Sequence, residues 1–128
     1  TTFGVRVIQD GESADFTLAF EVSDCVRVPD GIEPGVDFLI EGPFPAWKAM
    51  LDNIHELGAA DTEHSLNTLT HFGETLRVRY DDPDGHDKLY RFAESVQEWL
   101  DLSARVDFGY SDGTTPPPPR DVVRRAAR

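Results

Sequence analysis

Apolar residues recur at every second position near the start of the chain. Phe3, Val5 and Val7 alternate with Gly4 and Arg6, the period of a half-buried strand. Phe16, Leu18, Phe20 and Val22 repeat the pattern against Thr17, Ala19 and Glu21. The run Asp10-Gly11-Glu12-Ser13 between them reads as a turn, so the two segments predict an antiparallel hairpin. A short third strand is expected over Cys25 to Val28, ended by Pro29-Asp30-Gly31. A fourth is expected in Gly35 to Glu41, where Val36, Phe38 and Ile40 alternate; Leu39 is apolar too, which suits a strand covered on both faces.

The period then changes. Gly42-Pro43 breaks the strand, and Pro45 suits the first turn of a helix. Trp47, Met50, Leu51, Ile54 and Leu57 fall on one helical face, and Gly58 is a natural stop. Asp61 is placed to cap a shorter helix carrying Leu66 and Leu69, without a reciprocal box because His64 stands at the third position on. Leu76, Val78 and Tyr80 predict a strand entered from Gly73, and Asp81 to Gly85 a turn. Leu89, Phe92, Ala93, Val96, Trp99 and Leu100 give the clearest helix, with Glu94, Gln97, Glu98 and Asp101 facing away. Val106, Phe108 and Tyr110 suggest one more edge strand. Pro116 to Pro119 is stiff and extended, and Arg120 to Arg128 is a short basic stretch. The expected division is a domain over 1–110 and a Pro-rich, basic tail over 111–128, through which a partner protein or a second copy can dock.

With 128 residues the chain suits one domain. At 39% hydrophobic and 10% aromatic it has enough to build a core. There are 24 acidic against 12 basic residues, a formal net charge of -12, which makes nucleic acid and anionic headgroups poor partners. Cys25 is the single cysteine, so no internal disulfide or thiolate metal site is expected; it reads as a small buried hydrophobe in a cytoplasmic protein. No apolar run is long enough for a membrane span, and no signal peptide is visible.

The order of elements is strands, helix, short helix, strand, long helix, an α+β arrangement. In its wording, Gly35-Val36-Asp37-Phe38-Leu39-Ile40, the helix from Phe44 to Ile54 with Trp47 and Leu51, and the segment from Leu69 to Val78 with Phe72-Gly73-Glu74-Thr75-Leu76 resemble the sterol carrier protein type two, or non-specific lipid transfer, family. With the last helix the resemblance covers most of Phe16 to Leu102. It departs in two places: Tyr80-Asp81-Asp82-Pro83 stands where the family often has Gly-Asp, and no long helix precedes Phe3. The resemblance implies a mainly antiparallel five-stranded sheet with helices on one face. It further implies an apolar small molecule (lipid, acyl chain or steroid-like) held between sheet and helices, either in a free-standing carrier or in an accessory domain.

The side chains expected to border such a ligand are Phe20, Phe38, Trp47, Met50, Leu51, Ile54, Phe72, Phe92, Val96 and Trp99, all of which also suit an ordinary core. Trp47 and Met50 are the strongest, since methionine adapts to varied shapes. His55, His64, His71 and His86 have no compact ligand spacing, and Asp81, Asp82, Asp84 and Asp87 give only a fragment of a calcium loop. No metal, cofactor or catalytic residue is expected. The alternative is a small enzyme or enzyme subunit working on an apolar substrate in the same cavity, with His71, Tyr80 or Asp81 as its polar groups.

Overall fold

The computed structural model describes residues 1–21, 24–28, 31–32, 35–71 and 75–120, with 21, 24–28 and 86 described by backbone alone. The protein is α+β. Strands β1 (Thr2–Gln9), β2 (Glu12–Glu21), β3 (Asp24–Val28), β4 (Phe38–Pro43) and β5 (Arg77–Arg79) form one sheet in the order β3-β2-β1-β4-β5. The hairpin is where the alternation puts it: Phe3 pairs Leu18 and Val5 pairs Phe16, and Asp10 and Gly11 turn the chain with positive φ. The sheet is mixed rather than uniformly antiparallel. The β1–β4 pair is parallel, Phe3 beside Phe38 and Val5 beside Ile40, while β1–β2, β2–β3 and β4–β5 are antiparallel.

This register sorts the side chains onto two faces. One carries Phe3, Val5, Leu18, Phe38, Ile40 and Val78, and helices cover it. The other carries an ion-pair row across four strands. Arg6 Nε meets Asp15 at 2.9 Å, Arg6 Nη1 meets Glu41 at 3.5 Å, and Arg79 Nε also meets Glu41. Glu41 is 6% exposed, and the two arginines offset the cost of covering it.

Helix α1 (Phe44–Leu57) starts with Pro45 in its first turn. It stops at Gly58, whose φ of 90° a side chain would resist and whose N–H donates to Ile54 O at 2.7 Å. Asp61 does cap, but what it caps is a 3-10 turn over Thr62–His64, with His64 N–H donating to Asp61 Oδ1 at 2.9 Å. The short helix α2 (Leu66–His71) follows after Ser65, and Leu66 N–H is satisfied from outside by Gln97 Oε1 at 2.6 Å.

Helix α3 (Pro83–Asp101) is capped by Asp82, which accepts from Asp84 N–H at 3.0 Å. The acidic run is thus a helix start, with negative charge at the positive end of the helix. A Cβ on Gly85 would stand 2.0 Å from Asp37 O, so only glycine lets α3 sit this close to the chain entering β4. A 3-10 turn, Leu102–Arg105, ends the helical region.

Three expectations about elements are corrected. The fourth strand is shifted to Phe38–Pro43 and runs through Gly42-Pro43, because its parallel pairing with β1 reaches Ile8–Pro43. The fifth is only three residues, since its pairing with β4 runs only from Arg77 to Arg79, and the expected turn at Asp81 to Gly85 is instead the entry to α3, with Asp82 as its cap. Val106, Phe108 and Tyr110 form no strand; both sheet edges are elsewhere, and the segment lies across α1, Phe108 edge-on to His55 and Tyr110 edge-on to Phe44. The polyproline stretch continues along α1, where His55 Nδ1 donates to Pro117 O at 2.6 Å and Arg120 N–H to Glu56 O at 2.8 Å. Val22, Pro29, Asp30, Phe72, Gly73 and 121–128 lie outside the described residues, as does the side chain of Cys25.

Candidate functional site

Helices α1 and α3 lie on the same face of the sheet, but they do not cover it evenly. At the end where β1 and β4 begin, the core is solid. Phe3 is fully buried and its ring lies 5.3 Å from those of both Phe38 and Phe20. Phe38, Met50 and Ile54 have no exposed surface, and Val96 has 1%. These four expected ligand-facing residues lie in the core cluster and not along the cleft that opens at the other end. Phe20 and Phe92 stack on each other at 6.4 Å beside it.

At the other end of β1 the same face opens into a cleft of about 460 Å³. Val5, Val7, Phe16 and Leu18 form its floor, Trp47 and Leu51 of α1 one wall, and Trp99 and Leu100 of α3 the other. Leu102, Ser103 and Val106 stand at its border, Leu102 half exposed and Val106 more so. A second hollow of about 430 Å³ shares Val7, Phe16, Trp47 and Leu51 with it, so the two form one trough. No charged side chain borders the inner cleft among the described residues. The outer part meets Glu12 and Lys48, and Lys48 Nζ is held by Asp52 at 2.9 Å.

Two features hold the walls. Trp47 donates from Nε1 to Arg6 O at 3.3 Å, which fixes the indole over the strand, and Trp99 stands edge-on to Phe3 at 5.9 Å. The outer end is bounded by Tyr110, whose hydroxyl donates to Asp52 Oδ1 at 2.7 Å. Burial, and then that bond to a carboxylate, raise the phenol's pKa, so Tyr110 stays neutral.

Of the expected ligand-facing residues, the structure thus gathers Trp47, Leu51 and Trp99 in the trough. Sequence reasoning missed Val5, Val7, Phe16, Leu18, Leu100, Leu102, Ser103 and Val106. Alternation shows which way Val7 and Phe16 point, but not whether a helix meets them.

The polar candidates are elsewhere. His71 and Tyr80 border a separate hollow of about 550 Å³ beside β5, together with Arg77 and Tyr90. There His71 donates from Nδ1 to Asn67 O at 2.8 Å, and its Nε2 lies 2.6 Å from the Tyr90 hydroxyl. His64 turns instead to Asp61 Oδ1 at 2.7 Å, and this bond holds the carboxyl below its usual range. Asp81 is exposed. No group of three or more metal-ligating side chains comes together among the described residues, and no helix there is long and apolar enough to cross a membrane. Comparison of the chain with protein-family models, with curated proteins and with solved structures gives no match.

Proposed function

We propose that the protein binds or carries an apolar small molecule, a lipid, acyl chain or steroid-like compound, in the trough between the sheet and helices α1 and α3. The observation that carries this reading is the uncovered apolar end of the sheet face. Val7 and Phe16 stay only half-buried there, between walls from α1 and α3 that do not close over them, although the protein has the residues to fill a core completely at the other end. Its volume of about 460 Å³ falls in the ordinary range for small-molecule sites, roughly 300–1,000 Å³. A surface of net charge -12 makes a water-exposed apolar trough the more notable. The five-stranded sheet with helices on a single face supports kinship with the sterol carrier type two proteins.

The enzyme reading in the same cavity has less support, since His71, Tyr80 and Asp81 do not border the trough. Native mass spectrometry after gentle purification tests the proposal. It should show an adduct that organic solvent releases as an alkyl or steroid-like molecule. A bare chain that also fails to take up long-chain alkyl compounds sinks it.

A further inference from the structure

We infer that the preferred ligand carries one uncharged hydrogen-bonding group, a hydroxyl or a carbonyl, and that Ser103 holds it. This rests on the trough being a ligand site, and names the chemistry that site selects. Ser103 lies on the Leu102–Arg105 turn and borders the inner cleft. Its Oγ is fully covered, and among the described residues it is the buried side-chain polar atom without a hydrogen-bond partner. Buried hydroxyls are nearly always paired, because an unpaired one has lost its water and gained nothing.

The residue as a whole is only partly buried. Because the residue borders the cleft, the proposed contact has the hydroxyl turn about Cα–Cβ into another staggered position to meet the ligand, and the turn breaks no hydrogen bond. Once there it both donates and accepts, which fits an alcohol, ketone or ester. A carboxylate or phosphate is disfavoured. Among the described residues no Lys, Arg or His borders the inner cleft, Arg105 on the same turn is exposed, and Lys48 further out is paired with Asp52. An anion drawn in here would be desolvated without a cation to meet it.

The test uses the full chain and three probes of equal chain length. 1-Bromododecane, which has no hydrogen-bonding group, is titrated as a quencher of tryptophan fluorescence. Dodecan-1-ol and, at mildly alkaline pH, ionised dodecanoate then compete with it. The alcohol should compete about tenfold better than dodecanoate. Ser103→Ala should weaken the alcohol by about threefold to tenfold, the worth of one hydrogen bond. It should leave 1-bromododecane unchanged, and Tm unchanged or higher because an unpaired hydroxyl is gone. If 1-bromododecane binds but Ser103→Ala leaves the alcohol's affinity intact, or dodecanoate competes as well as the alcohol, this inference falls while the trough remains a ligand site. If 1-bromododecane does not bind the parent protein, both fall.

Discussion

The two ends of one sheet face differ in what covers them. At the end where β1 and β4 start, Phe3, Phe38, Met50 and Ile54 are fully buried. Polar bonds also fasten this end: Asp37 accepts from Lys88 Nζ at 2.7 Å and from Thr2 N–H at 3.0 Å, tying α3, β1 and the entry to β4. At the other end Val7 and Phe16 face a trough, and what stands at its border is the irregular 106–114 segment, anchored on α1 through Tyr110 and Asp52. The chemistry of the side chains is the same at both ends. The difference lies in whether a second layer meets them, which is what separates a core from a site.

The sharpest way to break the comparison is to delete one large side chain at each end. Phe38→Ala should cost about 3–5 kcal/mol, because the surroundings cannot collapse into the space. Leu51→Ala, on the wall of the trough, should cost less than about 1.5 kcal/mol, since part of its surface already faces open space. Urea denaturation of the two variants measures both. Equal losses would mean that the trough is core.

A smaller effect concerns the fastening of the solid end. Burial pushes the Asp37 carboxyl up, but Lys88 and the Thr2 N–H outweigh it and hold the group below its ordinary 3.8. A carboxyl lowered in the folded state adds stability above its unfolded pKa, and that stability is lost as pH falls through the folded value. Asp37→Asn should therefore cost about 1–2 kcal/mol at neutral pH. The gap to the parent protein should shrink as pH falls below 3.8, measured by urea denaturation across the acid range. A gap that persists in acid would assign the effect to packing instead of charge.

Much of this arrangement is written in local pattern. The period-two runs of β1 and β2, Pro45 and Gly58 at the ends of α1, and the stripe of α3 each depend on residues near one another in sequence. The parallel pairing of β1 with β4 is not local, and no turn signal announces it. A trace survives in Leu39, which is buried on the face away from the helices as a central strand requires. Val106 to Tyr110 misled because alternation says only that one side is apolar; here that side meets α1, and no sheet edge is offered to it. For the site, Met50 and Trp47 carry the same helical signal. The first is sealed and the second borders the trough, because three-dimensional packing decides depth and spacing decides only direction. Ser103 gives no signal at all in the sequence, since a serine after a helix is ordinarily a solvated end.

The most direct measurement uses the position of the indoles. Trp47 and Trp99 are the chain's two tryptophans, and both border the trough. A brominated alkyl probe bound there should quench both, with a saturable titration, and Val7→Phe should abolish that binding. The added ring occupies space that is already open, so stability should be unchanged or slightly higher. Saturable quenching that disappears in Val7→Phe while urea denaturation stays unaltered is the predicted result. No saturable quenching in the parent protein, with Val7→Phe losing the roughly 1–3 kcal/mol that overpacking a filled core costs, would contradict it.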